Sequence, residues 1–148
     1  MKVIALTGLV AIEKIELAHD LADHFTATGQ RVTVFDNVAR LPMTAGDMPA
    51  PVNRVDGDIL PQLPDLVGDS DADTVIIALS EQTHPHDLFV ALDNLYLSHD
   101  DIEVRTIALV DTRTCDCFPT VREALETYAD VTVNLPFGVT EVINHLDI

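Results

Sequence analysis

The chain opens on an uninterrupted apolar run, Val3-Ile4-Ala5-Leu6, which stops at Gly8 and gives way to a helical pattern. Such a run reads as a strand buried on both faces, the kind found inside a parallel sheet. The turn that follows has a particular spacing, Gly8-Leu9-Val10-Ala11-Ile12-Glu13-Lys14-Ile15. A phosphate-binding loop has the form strand, G-x-x-x-x-G-K-[ST], helix. Gly8 and Lys14 keep two of its four fixed positions, while Glu13 replaces the second glycine and Ile15 the hydroxyl residue. The frame is recognisable and its chemistry is damaged.

The same alternation continues along the chain. Strands are predicted over 2–7, 31–35, 74–79, 104–110 and 131–134. Helices are predicted over 13–28, 87–97, 119–128 and 140–146, with Gly29 as the C-terminal cap of the first and Pro119 opening the third. On the first helix Ile15, Ala18, Leu21, Ala22 and Phe25 form the apolar face. The segment 39–64 is different, with Pro42, Pro49, Pro51, Pro61 and Pro64 beside Gly46 and Gly57. It is expected to be a long, mobile loop with a short helix near 59–66. A chain of 148 residues is expected to be one domain.

Strands alternating with helices imply a doubly wound, mostly parallel α/β sheet with helices on both faces. The working loops of such a sheet gather at the carboxyl ends of its strands. Those ends are 8–14, Asp36-Asn37, 80–86, 111–117 and 134–138.

The order of these motifs resembles the CobW-type metallochaperone P-loop GTPases, over nearly the whole chain but short of that family's full length. Beyond Gly8 and Lys14, the family's E-T-S-G-L-A-x-P motif can be laid on 78–85, where Ser80 and Pro85 agree. Its next strand usually ends in aspartate, as Asp111 does here. Its A-D-x-x-x-N-K-x-D guanine motif is laid on 129–137, where Ala129, Asp130 and Asn134 agree. The resemblance thus marks Gly8, Glu13, Lys14, Ile15, Ser80, Asp111 and Asn134 as a degenerate nucleotide- or anion-binding set.

The departures fall on the residues that would do the chemistry. Glu13 puts a negative charge where backbone must approach phosphate, and two like charges about 4 Å apart at an effective dielectric near 20 cost about 4 kcal/mol. Ile15 offers magnesium no hydroxyl, and Ala78 offers no carboxylate. Leu135 and Phe137 stand where the family reads guanine. The family's C-x-C-C metal motif is absent from its usual place, near Asp58 and Leu60. Phosphoryl transfer depends on positioning and charge stabilisation, so these changes imply a domain that has lost hydrolysis, with nucleotide binding weak or absent.

Other residues carry readings of their own. Lys14 can hold an anion at the helix N-terminus or pair with Glu13 or Asp36. Asp36 and Asp111 are read as ending neighbouring strands, where paired carboxylates do acid–base work or simply reflect an acidic composition. Cys115-x-Cys117 follows the fourth predicted strand and His84-x-His86 the third, and two thiolates with two imidazoles make a tetrahedral zinc set. The other reading is incidental cysteines and histidines that cap the following helix.

Charge decides the partner class. Eight Lys+Arg stand against 25 Asp+Glu, a net charge of −17, and the only lysines are Lys2 and Lys14. Nucleic acid needs a basic face, so it is excluded as a partner. No run of about 18 apolar residues predicts a membrane span, and the absence of a leader pattern suggests the cytoplasm. Two function classes remain. One is an interaction or regulatory domain with a protein partner, a second copy included, since the resemblance implies pairing across the nucleotide face. The other is a metal or anion carrier using the carboxyl-end loops. A weak nucleotide binder is a further alternative.

An Asp-rich, Lys-poor chain suits a high-salt cytoplasm, or is an ordinary acidic protein. On the first reading its melting temperature rises between about 0.1 and 2 M KCl, where the Debye length falls from about 10 Å to under 3 Å. A flat or falling melting temperature in that titration counts against it.

Overall fold

The computed structural model describes residues 1–38, 52–111, 118–136 and 138–146. Six strands form one sheet: β1 (Lys2–Thr7), β2 (Val32–Asp36), β3 (Val52–Arg54), β4 (Thr74–Ala78), β5 (Glu103–Val110) and β6 (Val131–Asn134). Their order is β3-β2-β4-β1-β5-β6. Every pairing is parallel, with Ile4 opposite Ile76 on one side of β1 and opposite Arg105 on the other. The helices are α1 (Ile12–Ala27), α2 (Leu63–Gly68), α3 (Pro85–Ser98), α4 (Pro119–Tyr128) and α5 (Val139–Leu146), with a 3₁₀ turn at Leu60–Gln62 before α2. The chain therefore has the P-loop NTPase-like α/β fold.

The period-two geometry of the strands divides the core in two. Ile4 and Leu6 of β1, with Val34, Ile76, Ile107 and Leu109, face one side, where Leu17, Leu21 and Phe25 of α1 and Val142 and Leu146 of α5 cover them. Val3 and Ala5, with Val75 and Ile77, face the other, against Leu63 and Val67 of α2 and Leu88, Leu92 and Leu95 of α3. Each large side chain buried this way contributes about 1.5–3 kcal/mol. Ile15 of α1 is only partly buried at the margin of the first layer. Leu17, absent from the expected apolar face, is buried within it. Gly29 has φ +87°, which suits its place just beyond the helix end, and the Gly29 N–H donates to Thr26 O at 3.0 Å.

The segment expected to be one long loop is corrected where it is described. Residues 52–54 form a sixth strand on the edge of the sheet, in register with β2 from Val34 opposite Val52 to Asp36 opposite Arg54. Three residues are too few to show a period, so the strand is set by its partner rather than by its own pattern. Asn37, just past β2, holds this region together. Its side-chain amide donates to Val55 O at 2.9 Å and Gly57 O at 3.0 Å, and its oxygen accepts the Ser80 N–H at 3.3 Å. The short helix expected near 59–66 is present as the 3₁₀ turn and α2.

The strand order also corrects the reading of Asp36 and Asp111. β4 and β1 stand between β2 and β5, so the two carboxylates do not end neighbouring strands. No helix among the described residues is long and apolar enough to cross a membrane.

Gly8 ends β1 with its backbone packed onto β5. Its φ is +130°, and a Cβ there would meet the Leu109 carbonyl oxygen at 2.4 Å. Both the torsion and the contact oppose any side chain. Gly8→Ala should cost about 3 kcal/mol of unfolding free energy in a urea titration. Alanine tolerated within about 0.5 kcal/mol would show that the turn re-forms another way.

Candidate functional site

The carboxyl edge of the sheet is where the candidate residues meet. β1 runs into Gly8, the chain turns through Leu9-Val10-Ala11, and α1 begins at Ile12. Ala11 supplies no side-chain cap to the first turn of the helix. Glu13 lies in that first turn, where a negative charge favours the helix dipole. Ile12 is 53% exposed at the mouth of the turn.

Lys14 is fully buried. Its Nζ donates to Gly8 O at 2.8 Å and to Leu79 O at 2.6 Å. One ammonium thus ties the start of the turn to the end of β4. The sequence had offered Glu13 or Asp36 as its partner, but the hydrogen bonds go to backbone carbonyls. Burial pulls the Lys14 ammonium down from its ordinary 10.5 to about 8, against the opposing attraction of Glu81. Glu81 Oε1 is itself enclosed, with no hydrogen-bond partner among the described residues. This pair was not visible in the sequence, because Glu81 is 67 positions from Lys14 and sits in a segment aligned to another motif.

Asp36 is buried and its Oδ1 has other business. It accepts the Val38 N–H at 3.0 Å and pairs with Arg54 Nη1 at 3.2 Å. Arg54 also reaches Asp56 at 2.9 Å. Ser80 Oγ accepts the Gln82 N–H at 3.2 Å, so the hydroxyl shapes its own loop. A polar cleft of about 520 Å³ opens beside it, lined by Asn37, Arg54, Asp56, Asp58, Ser80 and His84 among others. That cleft belongs to the β2–β4 side of the edge. Asp111 and Asn134 lie at the ends of β5 and β6, on the other side of β1, where Leu135 N–H donates to Val110 O at 2.9 Å. The edge thus carries the candidates in two groups rather than one constellation.

The expected zinc set is only half described. His84 Nδ1 accepts the His86 N–H at 3.1 Å and caps α3. The His86 ring stands edge-on to Tyr128, with centroids 5.3 Å apart. β4 and β5, which precede the two pairs, flank β1. Cys115 and Cys117 lie outside the described residues, as does Phe137. Among the described residues no group of three or more His, Cys, Asp or Glu side chains is arranged to hold a metal.

No protein-family model matches the chain, and no curated protein matches its sequence. Solved structures do share its fold. The signal recognition particle receptor FtsY from Elizabethkingia anophelis is 15% identical with a TM-score of 0.58, over 90% of this chain and 48% of that one. The BceF tyrosine kinase domain is 17% identical with a TM-score of 0.58, over 89% of this chain and 67% of that one. The Zn(II)-bound YjiA GTPase from E. coli is 16% identical with a TM-score of 0.53, over 99% of this chain and 54% of that one. The chain spans about half the length of the FtsY and YjiA structures. The likeness establishes the P-loop type of fold expected from the sequence, and the fold alone.

The burial of Lys14 has a measurable consequence. Below about pH 8 both the folded and the unfolded chain hold its proton, and the cost of burying the charge is present in full. Between about 8 and 10.5 the unfolded chain binds more protons, so stability rises with pH. Above that both states are neutral. The full rise attributable to Lys14 is about 3 kcal/mol. Urea midpoints from about pH 7 to 11 should therefore show the stability difference between the parent and Lys14→Met growing in the parent's favour by about that amount. A difference that stays constant with pH counts against a buried, depressed amine.

Proposed function

We propose that this chain is a non-hydrolysing P-loop-like domain, a degenerate relative of the CobW-type GTPases that acts by engaging a protein partner. The observation that carries this reading is the state of Lys14. A phosphate-binding lysine must present its ammonium to the ligand, and this one is fully buried with hydrogen bonds to Gly8 O and Leu79 O. Releasing it would break both bonds and leave two carbonyls to find new donors, at about 1–3 kcal/mol each.

The neighbouring positions support the same reading. Glu13 adds negative charge at the mouth of the turn, and Ile12 presents an apolar surface there. Ile15 is packed at the margin of the core and has no hydroxyl for a metal ion. Ala78, at the end of β4, has no carboxylate. Phosphoryl transfer would need these groups in position together. What survives is the scaffold, with its loops and outer helix surfaces free to be used for recognition.

The direct test is turnover. Purified protein with GTP or ATP and magnesium should release phosphate no faster than the Lys14→Ala variant. Magnesium-dependent hydrolysis clearly above that control, at the roughly 10⁻⁴ to 10⁻² s⁻¹ typical of unassisted P-loop GTPases or faster, would overturn the proposal.

A further inference from the structure

The end of the sheet opposite Lys14 carries a second cleft, of about 500 Å³, between α3, α4 and the start of β5. Its floor is apolar, with Leu92 and Ile102 buried beneath it. Three aromatic side chains line it: Phe89 and Tyr96 on α3, and Tyr128 at the end of α4. Phe89 is 47% and Tyr96 57% exposed, although each is large and apolar enough to belong in a core. They are held ready rather than loose. Phe89 leans on Tyr128 with ring centroids 5.2 Å apart, and Tyr128 is braced in turn by His86. Phe89, Asp93 and Tyr96 follow one another at helical spacing and make one stripe along α3. Two turns of helix give that stripe a length of about 10 Å, enough for a short segment of chain.

The charge around the rings is mostly negative. Asp93, Asp100 and Asp130 line the cleft, and among the described residues no arginine or lysine is paired to them. Arg105, the cation among the lining residues, is paired with Glu103 at 2.8 Å. Asp130 Oδ2 also accepts the Thr106 N–H at 2.8 Å, which fixes its position and leaves its charge in place. Aromatic faces are negative too, through the ring quadrupole, and attract a cation placed over them. Rings and rim therefore ask for the same thing in an occupant. A second copy of this chain does not supply it, since it brings a net charge of −17 to an acidic rim.

We infer that this cleft docks a segment of a partner protein that presents an arginine or lysine beside apolar residues. The inference rests on the reading of the chain as an interaction domain and gives that reading a surface. The cation sits over Tyr96 with Asp93 near it, and the apolar neighbours cover Phe89, Tyr128 and Leu92. Tyrosine and arginine are the residue types that dominate binding energy at such surfaces.

A short labelled peptide alternating arginine and leucine is the probe, with the whole chain and fluorescence anisotropy in 0.5 M KCl. The parent should bind it, and the same peptide with glutamate for arginine should not bind. Tyr96→Ala and Asp93→Asn should each weaken binding at least about fivefold, while Phe118→Ala, an exposed aromatic outside the cleft, should leave it unchanged. Tyr96 and Asp93 are exposed, and unchanged melting temperatures would verify that both variants fold. Equal binding by either variant overturns the inference. Equal binding of a peptide with glycine for leucine does so as well, because that is attraction to an acidic surface and not a groove. A parent dimer that Tyr96→Ala dissociates in sedimentation would replace the partner segment by a second copy. Phosphate release is measured on the same preparations. Turnover with intact groove binding overturns the non-hydrolysing reading alone, and lost binding without turnover overturns the groove alone.

Discussion

A buried ammonium held by two backbone carbonyls organises the carboxyl edge of this protein. Lys14 reaches back to Gly8 and across to Leu79, so the β1–α1 turn and the end of β4 are fastened at one point. A charge inside protein is tolerated only with such partners, since burial alone would drive off its proton. The turn can close this tightly because Gly8 lies against the Leu109 carbonyl, where no side chain fits. The same arrangement that stabilises the edge occupies the group a phosphate would need. On the proposed reading, one set of hydrogen bonds both ties the edge together and takes the ammonium out of reach of a phosphate.

Beside it, a second tie works with neutral groups. Asn37 reaches Val55, Gly57 and Ser80, and so joins the ends of β2 and β4 to the segment after β3. Asp36 and Arg54 add an ion pair across the outermost strands, with the carboxylate buried and the guanidinium one-third exposed. The edge is thus tied together by polar side chains around a polar cleft, while the opposite end of the sheet, around Phe89 and Tyr96, leaves apolar rings in solvent. The two ends differ in what they can attract, and the proposed docking is placed on the aromatic one.

Much of this was legible in the chain. Runs such as Val3–Leu6 and Val75–Leu79 declare buried parallel strands, and the strands and helices between them fell within a residue or two of their observed limits. β3 was not legible, because Val52–Arg54 is too short to carry a period and is set by pairing to β2. The partners of Lys14 were misread for a similar reason. Sequence suggests charged partners, Glu13 or Asp36, but carbonyl oxygens are present at every residue and leave no mark on it. Glu81 and Asn37 were missed because their roles arise only when separate strand ends meet. The supposed Asp36–Asp111 pair failed on strand order, which alternation alone does not determine. Of the zinc set, His84 shows the capping role that was its alternative reading.

The sheet's two outer strands have a consequence of their own. Among the described residues, β3 has three residues and β6 has four. β3 ends at Arg54, whose side chain is bound to Asp36 and Asp56, and β6 is followed at once by Leu135-Pro136. Short, charged or proline-stopped margins are poor templates for adding another strand. Association by backbone ladder is therefore discouraged at both margins, and with it the commonest route by which open sheets aggregate. On the proposed reading, a partner segment is recognised by its side chains, so selection works by residue type rather than by extended conformation.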